Sequence, residues 1–335
     1  MIPLQNRFLK PSGDSFVGID MGNLYLKGLI IKEGKVTDYF MEKKEALAET
    51  LKKVWGDKKI SERKIKISLK DPACLIRYFP FPKMEKKRLK EALFYEMGKF
   101  IPFSPEEVYY DYFVLKENNP SEFLILLAVA KKEFLDGILE DLKKVNLKVS
   151  EITLDSACLI NFFLDNYKEK VNDNVCILDI GYKFSVITIL NKGTPFLTRD
   201  IKFSAQDIFQ VISRTQNIQI CDVQEWLKSS KSDQLLSDIV QDSFSNLSKE
   251  IKSSFDYFEV NKGGHIDSLY VSGGLSDIDG VFKVLSDFLE VKINILEAMP
   301  VSQDIFSSSF PRENFQSIKQ GFPAVFGLMS PDFRT

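Results

Sequence analysis

The apolar and polar residues of this chain fall into short runs, and two of these runs share one shape. An apolar run ends at Asp20, Gly22 follows, and a second apolar run starts at Leu24, which predicts strands at 16–20 and 24–31 joined by a tight turn. Another run ends at Asp179, Gly181 follows, and strands are predicted near 175–180, 184–190 and 195–202. Between them, the spacing of Ala46, Leu47, Leu51 and Val54 predicts a helix over 42–55, and alternation predicts a strand over 64–69. Leu75 to Phe79 is apolar until Pro80-Phe81-Pro82 breaks the pattern. A helix over 84–99 then puts Leu89, Leu93, Met97 and Phe100 on one face and stops at Ile101-Pro102-Phe103. Strands at 108–115 and 122–130 follow, then an amphipathic helix through Phe134, Ile138, Leu142 and Val145, and a closing strand at 148–153. Together, 75–153 reads as an α+β subdomain inserted into the first half.

The second half is longer in helix. After an apolar helix at 154–167 and the three strands, residues 205–260 are helical and polar, and their last helix, 238–260, carries Leu247, Ile251, Phe255 and Phe258 on one side. A strand at 267–271 runs into Ser272-Gly273-Gly274, before a helix at 277–290, a strand at 291–296 and a short helix near 317–329. Residues 1–14 are a polar leader.

The two acid–glycine turns are in register. Asp20 and Asp179 are 159 positions apart, as are Gly22 and Gly181, and Gly34 and Gly193 in the next turns. Three matched landmarks predict two halves of related build. An Asp-x-Gly turn alone is an ordinary hairpin as well as a phosphate turn. In duplicate, with an acid beside each glycine, the turns suit one ligand held by both halves, the acids placed to hold a hydrated Mg²⁺ beside phosphate. Gly273-Gly274 is a third place where backbone can meet a phosphate or flat ring, or simply a tight strand-to-helix connection.

Composition narrows the classes. At 335 residues the chain fits two domains, and 44% apolar with 27% charged residues is ordinary for a soluble protein. A net charge of −2 gives no global field for nucleic acid. The longest apolar run, Phe123 to Ala130, is far short of a membrane span, and the first ten residues lack the apolar core of a signal peptide, so a cytosolic location is expected. Cys74, Cys158, Cys176 and Cys221 show no metal spacing and read as buried thiols. His265, the single histidine, reads as a solvated loop residue, which leaves a Ser-His-Asp triad without support. There is no G-x-x-x-x-G-K-[ST] and no G-x-G-x-x-G. Lys83, Lys86, Lys87, Arg88 and Lys90, interrupted by Glu85 and Glu91, read as a solvated helix face or as a contact for acidic lipid or a partner.

The order turn, turn, Gly-Gly resembles the actin and sugar-kinase superfamily of ATP-binding proteins. Pro80-Phe81-Pro82-Lys83-Met84, Ile101-Pro102-Phe103, Asp111-Tyr112, Leu126 to Lys132, Ile152 to Asp155, Pro195 to Ile201, Phe255-Asp256-Tyr257-Phe258 and Ala324 to Leu328 make the chain similar to the PilM family, the actin-like proteins of type IV pilus assembly, over about 15–329. Departures are Asn23-Leu24-Tyr25 in the first turn, where the family is rich in Ser, the bulky Tyr182-Lys183-Phe184 in the second, and Ser204-Ala205 in place of a Gly-Gly.

The resemblance implies an α/β, actin-like (ribonuclease H-like) fold of two domains with the FtsA/PilM-type insert. It sets 15–74 plus 154–172 as the first domain, 75–153 as the insert, 173–204 plus 264–329 as the second domain and 205–263 as its helical subdomain. It implies ATP and Mg²⁺ as cofactors. Asp20 and Asp179 would hold Mg²⁺ through water; Gly22, Asn23, Gly181 and Tyr182 would bind phosphates through backbone N–H groups; Lys27 and Lys183 would add charge or stand as solvated lysines; and Gly273 and Gly274 would back the adenosine. No catalytic base is marked, so at most a slow ATPase is implied. The implied partner is the cytosolic N-terminal tail of the inner-membrane protein PilN, and through it the pilus alignment complex, with self-association open and neither nucleic acid nor direct membrane insertion expected. The groove for that tail is expected from Leu89, Leu93, Met97, Tyr110 and Tyr112, which read equally as the insert's own core. An FtsA-like polymerising tether and a sugar-kinase-like phosphotransferase are the alternatives.

Overall fold

β1 (Phe16–Met21) is buried at every residue, because it lies at the centre of a five-stranded sheet. The computed structural model describes residues 15–220, 222–223, 226–227, 233–276, 285–286, 288–298 and 303–330. The expected leader, Cys221 and most of the helix expected at 277–290 lie outside the described residues. The chain divides into two units: Met1–Asp165 with Val301–Pro311 and Ala324–Thr335, and Asn166–Pro300 with Arg312–Pro323.

In the first unit the sheet order is β3-β2-β1-β4-β8, formed by β1, β2 (Tyr25–Lys32), β3 (Lys35–Lys43), β4 (Lys64–Leu69) and β8 (Lys148–Leu154). The hairpin β1–β2–β3 is antiparallel, while β4 joins β1 and β8 joins β4 in parallel. The helix expected from residue 42 starts later: α1 is Leu47–Asp57, because Met41, Glu42 and Lys43 continue the β3 ladder opposite Lys27, Leu26 and Tyr25. Leu51, Val54 and Trp55 of α1 then bury against Ile65 and Ile67 in one core.

The insert is smaller than the sequence suggests. Its sheet has the order β5-β7-β6, with β5 (Cys74–Pro82), β6 (Val108–Asn119) and β7 (Glu122–Lys131). Pro80 does not end β5, which runs on to Pro82; the two prolines pair with Leu124 and Glu122, which an edge strand tolerates because a missing N–H on its outer side breaks no ladder bond. The strand expected to close the insert is β8, which completes the first domain's sheet instead. The helix before it, α3 (Lys132–Lys144), sends Leu135 and Leu142 into the core of that domain. The insert's own core runs from Leu75 to Val129 and is covered by α2 (Lys86–Glu96). Period-two alternation gives β7 two working faces: Ile125, Leu127 and Val129 meet α2, and Leu126 and Ala128 turn away from it.

The second unit repeats the first hairpin. Its sheet order is β11-β10-β9-β12-β13, from β9 (Asn174–Ile180), β10 (Ser185–Asn191), β11 (Thr194–Ile201), β12 (Ser268–Gly273) and β13 (Lys292–Ile295). Both hairpins turn through two positive-φ residues, Glu33-Gly34 and Lys192-Gly193, as a two-residue hairpin matching strand twist requires. Each carries a register shift in its second strand, between Ile30 and Ile31 and between Ile189 and Leu190. Those positions keep the offset seen in the sequence. Ser68 pairs with Asp20 and Ser272 with Asp179, so the fourth strands are equivalent as well. α5 (Ala205–Gln216), capped by Ser204 Oγ accepting from the Asp207 N–H, and the long α6 (Asp233–Lys262) cover this sheet through Ile208, Phe244, Leu247 and Ile251.

The last segment does not stay with the second unit, as the sequence suggested. Val36 forms a bridge with Phe306, Phe310 packs on Tyr39, and α8 (Pro323–Gly327), which follows α7 (Arg312–Gln316), returns to α4 (Asp155–Asn166). At that return a Cβ on Gly327 would lie 1.9 Å from the Cys158 carbonyl oxygen, so only glycine lets the two helices come this close.

Candidate functional site

The first turn is built around a buried carboxylate. Asp20 ends β1 at 5% exposure, and its cross-strand neighbour Lys27 donates to Oδ2 at 3.0 Å. The sequence left Lys27 between a phosphate ligand and a solvated lysine; its ammonium is in fact held by Asp20. Gly22 and Asn23 lie beyond the last ladder pair, Met21 with Leu26, and both are half-buried. A Cβ on Gly22 would sit 2.5 Å from the Tyr25 carbonyl oxygen, so the turn requires a residue without a side chain.

The second turn and the Gly-Gly site meet within one unit. Asp179 is 6% exposed at the end of β9. Gly273 sits opposite Ile180 with φ of +101°, and a Cβ there would lie 2.1 Å from the Ile180 oxygen and 3.0 Å from Asp179 Oδ1. Gly274 is exposed, and no atom of the described residues lies within 4 Å of its Cβ position. The bulky residues turn aside: Phe184 is buried, and the Tyr182 ring lies edge-on to Phe209 of α5 at 6.3 Å, while Lys183 is exposed. The N–H groups of Ala205 and Gln206 donate to the carbonyls of Gly181 and Tyr182 at 2.9 and 3.0 Å, tying the start of α5 to this turn. Ser204-Ala205 therefore anchors the turn, and Ala205 is buried in doing so.

In the first unit a glycine turn lies beside a buried acid. Within the second unit a glycine turn, a buried acid and the exposed Gly274 lie together. Among the described residues no group of three His, Cys, Asp or Glu could hold a metal ion.

A cavity of about 210 Å³ lies in the first unit, between the insert and the first domain's β8 and α4. Its lining includes Tyr109, Asp111 and Phe113 of β6, Leu126 and Ala128 of β7, and Ile152 of β8. Leu89, Leu93 and Met97, expected to line a groove, are fully buried under α2. Tyr110 and Tyr112 pack on the α2 side as well, although Tyr110 also borders the cavity. The expected set does lie together, on the opposite face of the insert sheet. The signal that separates the faces was present: in Val108 to Phe113 every second residue belongs to one face.

The family model for the type IV pilus assembly protein PilM matches residues 25–317. The chain belongs to the PilM family. A solved PilM-PilN type IV pilus biogenesis complex matches this PilM-family chain with a TM-score of 0.81 and 21% identity, over 95% of this chain and 98% of that one. The ethanolamine utilization protein EutJ from Carboxydothermus hydrogenoformans matches at TM-score 0.57 and 10% identity, over 94% and 89% of the two chains. MreB 5 of Spiroplasma citri bound to AMPPNP matches at 0.50 and 11%, over 85% and 92%. The fold is therefore the actin-like ATPase fold. Among the described residues of this PilM-family chain, no helix is long and apolar enough to cross a membrane.

Proposed function

We propose that this chain is a nucleotide-binding scaffold of the type IV pilus assembly machine, holding ATP with Mg²⁺ and the N-terminal tail of a PilN-type membrane protein. Family membership with the cavity beside the insert is the observation that carries the reading. Asp20 and Asp179 would orient a hydrated Mg²⁺, the N–H groups around Gly22, Asn23, Gly181 and Tyr182 would face phosphate, Lys183 would add charge, and Gly274 would lie against adenosine. ATP would supply phosphate charge for such turns; turnover is at most slow in this reading, because positioning groups are present and no base is marked. The tail would be an extended apolar peptide, its side chains entering the space bounded by Tyr109, Phe113 and Ala128 while Asp111 meets a polar or basic group. The chain would then sit at the inner membrane through its partner.

Calorimetry tests both halves of the reading. ATP with Mg²⁺ should bind the wild type, and Asp20→Asn should weaken it at least tenfold. A peptide of about 15 residues from the tail, long enough to cross such a cavity when extended, should bind the wild type, and Ala128→Trp should abolish binding while leaving ATP affinity unchanged. Peptide affinity untouched by Ala128→Trp would move the tail site elsewhere, and no ATP binding at millimolar concentration would leave a scaffold alone.

A further inference from the structure

We infer that the exposed first turns of α2 form a docking surface for an anionic lipid bilayer. Lys86, Lys87, Arg88 and Lys90 are all exposed within its first five positions, and none of them makes an ion pair among the described residues. The placement also opposes the helix. The first turn holds no acid, the Glu85 side chain makes no capping bond, and three consecutive cations sit where the helix dipole is already positive. A chain of net charge −2 thus concentrates positive charge at a place where folding gains nothing from it.

The rest of the face fits a bilayer better than a protein. Tyr95, seven residues after Arg88 and so on the same side of the helix, is 80% exposed, an amphipathic ring suited to the headgroup layer. The apolar side of α2 is committed to the insert core through Leu89 and Leu93, and its exposed positions are charged except Tyr95. Nearby acids do not neutralise the patch: Glu85 and Glu91 are two against four, and Glu96 is paired with Lys99. Lys83 is engaged over the Phe123 ring and adds to the same end of the insert. What remains is a cluster of four cations around the exposed first turn of α2, with Tyr95 in line with Arg88; it meets an anionic surface by charge, at about 1 kcal/mol per lysine or arginine.

The test is cosedimentation of the full chain, without peptide or nucleotide, with vesicles of phosphatidylcholine alone or with about one-third phosphatidylglycerol, a fraction that sets up a clear surface potential. Binding is expected to the anionic vesicles only and to vanish at about 0.5 M salt. Lys86→Glu with Lys87→Glu should lower it at least tenfold. Those substitutions place acids in a helix first turn, so the melting temperature should hold or rise and unfolding cannot account for the loss. Equal sedimentation of variant and wild type, or none with anionic vesicles, overturns the inference. Capture by polyglutamate without vesicle binding also overturns it, in favour of an acidic protein partner. Because no peptide or nucleotide is present, the outcome is separate from that of the ATP and tail sites.

Discussion

Gly273 and Gly274 are neighbours with opposite tolerances. Gly273→Ala must bring a methyl within 2.1 Å of the Ile180 oxygen at a positive φ, and should destabilise the second unit by about 2–4 kcal/mol in denaturant unfolding. Gly274→Ala meets no atom of the described residues within 4 Å, so stability should change by less than about 1 kcal/mol while ATP affinity falls. Tyr167 gives a second test at this scale. Burial lifts its phenol to about 12, and its oxygen accepts from the Glu297 N–H. Its folded-state pKa is above that of the unfolded chain, so its contribution is complete below pH 10 and is lost as pH rises through 12. Tyr167→Phe should flatten the fall of the unfolding midpoint between about pH 10 and 12, with a residual slope from Tyr270, whose pKa burial also raises. At this scale the acids and turn glycines were readable, since strand, acid and glycine carry their own spacing. The Lys27–Asp20 pair follows from cross-strand register, and the Ala205 anchor follows from tertiary placement that spacing does not encode.

Elements were legible where one period dominated. β1, β2, the three strands of the second hairpin and the core face of α2 emerged from the sequence because the apolar spacing there fits only one element. β3 was missed, and its end was absorbed into a helix, because Asp38, Tyr39 and Met41 to Lys43 mix polarity on a half-buried strand. β5 ran through its prolines because nothing pairs on its outer side. The cavity face of β6 and β7 was passed over because both faces of the insert sheet are apolar, and composition alone does not say which is covered by α2. Element packing also gives a sharp prediction. Gly327→Ala places a methyl 1.9 Å from the Cys158 oxygen and must push α8 off α4, costing about 2–4 kcal/mol, to be read as a lowered midpoint for the first unit.

For the whole molecule, the duplication was visible in three spacings and extends further than they showed, to matched turn conformations and matched bulges. The division into units was only half visible. Sequence order suggested that the tail belongs to the second domain, whereas aromatic contacts carry 303–311 and 324–330 back to the first. Long-range return of a segment leaves no local period to read. That return has a consequence for how the protein is made. Val36 waits for Phe306, and Cys158 waits for Gly327, so the first unit to leave the ribosome is the last to be finished. At about 5–20 residues per second, roughly 270 residues separate the bridge partners by about 15–55 s. Through that interval the surfaces of Tyr39 and α4 stand uncovered, the period in which a nascent chain depends most on chaperones.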